Sequence, residues 1–190
     1  MGLFNRSKPR DTDALHAALT HGTLAELEKV YEPAWVDLQL ESGTLLTLAL
    51  SNKDTAQRVA MANRLLDDGA DVTKGQPLHV LLGRNQHDFT AEAPLLARML
   101  DAGADVNEGH KKFGTPLETI AAKFKFSDAD LAPFYDVLLA RPDLDLLQDS
   151  IFGRTVLGNL RHWSGGRGEL VVRAEQTLTD RGIPVPPPAQ

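Results

Sequence analysis

At 190 residues, 42% apolar and 24% charged, the chain has the size and composition of one globular domain with a continuous core. It contains no cysteine, which excludes a disulfide framework, a thiolate metal site and a thiol nucleophile. The net charge is −6; Arg6, Lys8 and Arg10 stand in a leader without acids, so the rest of the chain is three units more negative, at −9. That balance argues against nucleic acid as the main ligand and suits a basic protein partner.

Residues 1–10 read as a disordered basic leader. They lack the apolar core of a secretory signal, and Arg6 stands where N-myristoylation wants Ser or Thr. No run approaches the ~20 apolar residues of a membrane span. From residue 11 onward the chain repeats a start signal, a short apolar stretch, a longer apolar stripe at helical spacing and a stop signal. Asp13 opens the first such unit as N-cap, before Leu15; Leu24, Leu27 and Tyr31 follow, and Trp35 caps that end. Thr44 opens the second, with Leu46, then Val59, Ala62, Leu65 and Leu66. Gln76-Pro77-Leu78-His79 opens the third, with Leu95, Leu96, Met99 and Leu100. Thr115-Pro116-Leu117 opens the fourth, with Leu131, Phe134, Tyr135, Leu138 and Leu139. Thr155-Val156-Leu157 opens the fifth, with Leu170, Val171, Ala174 and Leu178. Gly69 and Gly103 follow helix ends and supply the left-handed residue that closes a helix. Thr115 before Pro116 is an N-cap before a residue that lacks the orphan N–H.

The pair LLDDGADV (65–72) and MLDAGADV (99–106), with Pro-Leu-His and Thr-Pro-Leu following, resembles the ankyrin repeat, whose signature is a turn plus two helices with T-P-L-H-x-A at the first helix. The anchors Leu15, Leu46, Leu78, Leu117 and Leu157 place repeats near 11–42, 43–74, 75–113, 114–152 and 153–184, followed by a Pro-rich tail over 185–190 that reads as a frayed terminus. The resemblance implies an all-α solenoid of helix-turn-helix units joined by hairpin fingers, forming a single domain over 11–184. It also implies that His79 ties neighbouring turns by hydrogen bonds.

Repeats two to five are longer than the pattern between their two helices. The polar segments Ser51–Thr55, Arg84–Thr90, Phe124–Ala129 and Ser164–Gly168 are therefore expected as a ridge of loops, with Gly165-Gly166-Arg167-Gly168 flexible. Glu108–Lys112 should form a full finger, whereas Thr73-Lys74-Gly75 must reverse tightly. At the fourth repeat's end Arg141-Pro142-Asp143 stops the helix without a glycine.

Catalytic chemistry finds no constellation. His16 and His21 are five apart, off the spacing that puts two ligands on one helical face. The carboxylates do not pair, no serine sits in a nucleophile elbow, and the glycine-rich run lacks the Lys-Ser/Thr of a phosphate loop. No cofactor or metal is expected. The candidate partner contacts are the basic tip His110, Lys111, Lys112 and Phe113, and the inner-face residues Arg84, Lys123 and Trp163, although Phe113 also reads as packing on its own repeat and Trp163 equally as a buried stacking residue of the last repeat. Ankyrin proteins are binding scaffolds, and short acidic ones of this kind resemble bacterial cytosolic inhibitors. The expectation is thus a non-enzymatic, cytoplasmic, immunity-type protein, monomeric when free, that binds one protein partner such as a toxin. An adaptor or complex subunit, or a ligand or enzymatic site in the lengthened loops, stand as alternatives.

Overall fold

The computed structural model describes residues 11–188, and these are all-α with short hairpin connections. The expected basic leader lies outside the described residues, as do the last two residues of the Pro-rich tail. The chain divides into two compact units, one ending at Ala104 and one beginning at Asp105.

The first unit holds α1 (Thr12–His21), α2 (Leu24–Val30), a 3-10 turn (Pro33–Trp35), the hairpin β1 (Gln39–Leu40) and β2 (Gly43–Thr44), α3 (Leu45–Ser51), α4 (Thr55–Asp67), α5 (Pro77–Leu82) and α6 (Phe89–Asp101). The helices stack in two rows: α3 packs between α1 and α5, and α4 packs between α2 and α6. No pair could bury its apolar stripe alone, so the rows supply the core. Six consecutive residues of α3, Leu45 to Leu50, are buried, which makes α3 the centre of the unit.

The second unit holds α7 (Pro116–Ala121), α8 (Asp128–Leu139), α9 (Val156–His162), a 3-10 turn (Ser164–Gly166) and α10 (Gly168–Asp180). Here α7 packs on α9 and α8 on α10. Antiparallel bridges His110–Gly114 and Asp149–Thr155 close one hairpin before α7 and another before α9. The five anchor leucines lie in α1, α3, α5, α7 and α9 and are essentially inaccessible to solvent.

The local signals act as their chemistry requires. Gly69 (φ +89°) and Gly103 (φ +104°) are left-handed, and each is followed by an N–H reaching five residues back, Ala70 to the Leu65 carbonyl and Ala104 to the Met99 carbonyl, both at 3.0 Å. Thr115 caps α7 in a reciprocal box with Glu118; Thr23 with Glu26 and Ser127 with Asp130 do the same for α2 and α8. Hydrogen bonds from the capping residue hold the Glu26 and Asp130 carboxyls below their ordinary range. These caps therefore stabilise the fold at neutral pH and weaken as pH falls through the depressed folded pKa. In the tight turn Gly75 and Gln76 are both left-handed, and Gln76 is the single non-glycine residue with positive φ among those described.

Several expectations are corrected. The N-cap of α1 is Asp11, whose carboxylate accepts from the Asp13 and Ala14 N–H groups. The extra length of repeat two lies in a thirteen-residue α4, not in a loop, since only three residues separate it from α3. Phe89 and Thr90 belong to α6, and Asp128 and Ala129 to α8. Leu24, Val59, Leu66 and Val171 are half-buried, while Arg58 is fully buried in their company. The glycine-rich run is held rather than flexible. Arg167 at its centre is buried, and its guanidinium donates to the Ala121 (2.7 Å), Lys123 (2.8 Å) and Phe126 (3.2 Å) carbonyls. The tail through Pro188 folds back, so that Pro186, Pro187 and Pro188 line a groove of about 580 Å³ with Arg154, Arg161 and His162.

Arg167→Ala should leave three carbonyls and a cavity behind. We expect a loss of about 3 kcal/mol in urea unfolding, against about 1 kcal/mol for Gly69→Ala, where only backbone strain is added. Equal losses would mean that water replaces the guanidinium without cost.

Candidate interaction surface

The surface begins with two hairpin tips in the second unit. In the first, His110 and Gly114 exchange backbone hydrogen bonds at 2.8 and 3.0 Å, and the Lys112 N–H donates to His110 Nδ1 at 3.1 Å. An acceptor Nδ1 leaves the ring proton on Nε2. The ring stacks on Phe113 (centroids 4.6 Å apart), and the Lys112 ammonium lies 5.4 Å from the Phe113 centroid. Gly114 is obligatory at the turn: φ is +72°, and a Cβ would come within 3.0 Å of the Phe152 ring and closer still to the Glu118 carboxylate.

The second tip carries Ile151 and Phe152 before Gly153 (φ +74°). Phe152 reaches the indole of Trp163 edge-on at 5.6 Å. Trp163 also meets Phe124 edge-on at 6.5 Å, and the Arg167 guanidinium lies 5.1 Å from the Phe124 centroid. The result is an aromatic path from the Phe124 loop through Trp163 to the Phe152 hairpin, which in turn abuts Gly114 of the first tip. It is wet on its outer side: Phe113 is 43% exposed, Phe124 58%, Ile151 50% and Phe152 38%. Among the described residues every large apolar side chain that is exposed lies in the second unit, and four of the six lie on these two tips and this loop. Contiguous exposed aromatics of this kind mark contact surfaces.

The charge around this path is mainly basic. Residues 109–127 carry four lysines and one carboxylate, and residues 149–168, from the hairpin bridge at Asp149 onward, carry three arginines and one carboxylate. Glu118 is buried and used internally: the Thr115 N–H donates to one oxygen at 2.7 Å and Asn159 Nδ2 to the other at 2.6 Å. Asp149 is exposed at the base of the second hairpin. Arg167 is committed to carbonyls, and Arg161 is paired with Glu175 at 2.8 Å. Lys111, Lys112 and Arg154 are exposed on the tips.

Of the sequence-predicted contacts, His110, Lys111, Lys112 and Phe113 share one tip, and Phe113 is exposed rather than packed on its own repeat. Trp163 anchors the aromatic path. Lys123 is half-buried, with its carbonyl bound by Arg167. Arg84 belongs to the first unit, half-buried, with its Nε–H enclosed and without a partner. Phe124, Ile151 and Phe152 were missed. The signal was present in the Phe-Gly pair that precedes both α7 and α9 and in a phenylalanine placed outside any helical stripe.

No family model matches the chain, and no curated protein matches it. Among solved structures it is similar to a functionally unknown protein from Leptotrichia buccalis, with a TM-score of 0.68 at 18% identity, covering 90% of this chain and 96% of that one. At that identity the likeness speaks for the fold. Among the described residues no helix is long and apolar enough to cross a membrane.

Phe113→Ser and Phe124→Ser should each lower unfolding free energy by about 1 kcal/mol, because only about half of each side chain's area is withdrawn from water. Phe134→Ala, fully buried in α8, should cost about 3–5 kcal/mol. Comparable losses at all three sites would make the exposed rings structural.

Proposed function

We propose that this chain is a non-enzymatic, ankyrin-type protein-interaction module, acting in the cytoplasm as an inhibitor of the immunity kind that holds one protein partner. The observation that carries the reading is the exposed aromatic path of Phe113, Phe152, Trp163 and Phe124 between two hairpin tips. The ankyrin assignment is supported by the repeated Thr-capped or Pro-opened short helix, the Gly-closed long helix and the hairpins between them. Binding energy comes from desolvating the aromatic path, with Trp163 and Phe124 as anchors, while Lys111, Lys112 and Arg154 set orientation. The acidity of the whole chain suits a basic partner at long range. The first tip is basic, so the partner segment seated between the tips is apolar with an acidic flank.

The test is a tagged pull-down from lysate of the source cell, native chain beside the Phe113→Ser/Phe124→Ser/Trp163→Ala variant, with mass spectrometry of what is retained. The native chain should hold one stoichiometric protein that the variant loses by 100-fold or more in affinity, while its melting profile stays within a few degrees of native. Toxicity of that protein expressed alone identifies an inhibitor, and a harmless one identifies an adaptor. Equal retention by the triple variant would remove this surface from the function.

A further inference from the structure

The loop between α5 and α6 folds over the first turn of α4 and encloses an open cavity of about 330 Å³, lined by Lys53, Arg58, Gly83, Arg84, Asn85 and Gln86. Three of these six are cations, and among the described residues no carboxylate lines the cavity. Arg58 is fully buried. Its Nε donates to the Asn52 carbonyl at 2.9 Å and its Nη1 to the Gln86 carbonyl at 3.1 Å and to Glu92, but its Nη2 has no partner. Arg84 Nε is likewise buried without an acceptor. Glu92 does not neutralise both guanidinium groups: one oxygen is taken by Arg58 and the other by His87 Nδ1 at 2.6 Å. Desolvation, then the neighbouring Arg58 charge, depress the proton affinity of Arg84, and the Glu92 charge offsets this only in part.

Two guanidinium groups that repel one another, each with an enclosed N–H lacking an acceptor, are costly to bury side by side. We infer that the cavity bounded by Lys53, Arg58 and Arg84 is a binding site for an oxyanion, a phosphate or carboxylate group. The donors suit that chemistry: guanidinium presents N–H groups in a planar fork matched to two oxygens, and Lys53 at the rim adds a mobile ammonium. The volume lies at the lower end for ligand sites, which fits one such group rather than a nucleotide or drug-sized molecule. The site is built from first-unit residues and shares none with the aromatic surface of the second, so either can fail alone.

The experiment compares thermal unfolding of the full chain in sodium phosphate, sodium acetate and sodium chloride at equal ionic strength and pH. An oxyanion that binds the folded chain raises Tm over chloride by about 4 °C at saturating concentration. A shift in phosphate alone assigns a phosphoryl ligand, and a shift in acetate assigns a carboxylate. Arg84→Gln should abolish the shift without lowering Tm in chloride, because it removes a cation from beside Arg58. Lys53→Gln, at the exposed rim, should reduce the shift several-fold with an unchanged fold. Identical melting in all three salts, or a shift that survives Arg84→Gln, overturns the assignment.

Discussion

The last four carbonyls of an α-helix have no partner within it, and the short helices here have only six or seven residues. Most of the backbone acceptors of α3, α5, α7 and α9 must therefore be satisfied from outside, in positions too buried for water to serve. The chain meets this constraint with buried polar side chains from the partner helix or from the neighbouring helix pair. Asn52 donates to the Leu19 and Gly22 carbonyls at the end of α1, both at 3.1 Å, and Arg58 to the carbonyl that follows α3. In the second unit Arg167 serves the end of α7, and Arg181 serves the end of α8 through the Leu139 and Arg141 carbonyls at 2.9 and 2.6 Å. A cation at a helix C-terminus gains from the helix dipole as well as from the hydrogen bonds. Packing of leucines aligns the rows, and these side chains register one pair on the next.

The same constraint determines where charge is spent. Arg58, Glu92, Glu118 and Arg167 are withdrawn from solvent into the framework. In the second unit the burial of Glu118 leaves the first hairpin tip with exposed lysines and no carboxylate, on a chain that is acidic as a whole, while the second tip keeps Arg154 beside an exposed Asp149. The tips can turn rings outward because hairpin bridges and left-handed glycines, rather than burial of those rings, hold their shape. Stability and presentation are thus carried by different residues, which is the condition for a contact surface to vary without loss of fold. In the first unit, Arg84 beside the committed Arg58 is the place where framework charge exceeds what the framework can neutralise.

The helical rows were legible in the sequence because their signals are local. Thr115 before Pro116, Gly69 after Leu65-Leu66 and the spacing of Leu131, Phe134, Leu138 each act within a few residues, by capping, by backbone freedom and by the helical period. The hairpin tip His110–Phe113 was legible for the same reason, since a full-length link between two helices must fold on itself. Arg58 and Arg167 were not. Most of their partners lie 28 to 46 residues away, as for Gln86 and Ala121. An arginine beside an apolar stripe looks the same whether it reaches water or a distant carbonyl. The exposure of Phe113 and Phe124 was hidden in the mirror-image way, because a lone phenylalanine in a loop gives no sign of which face it takes.

The sequence by itself determined the starts of α3, α5, α7 and α9, the glycine-closed helix ends and the all-α class, because each is settled by interactions among near neighbours. The tertiary structure decided which charges are consumed, which rings remain in water and where two cations are left facing one cavity. Those outcomes depend on which carbonyl, carboxylate or ring another helix brings within about 3–6 Å, a distance that no local pattern of residues encodes.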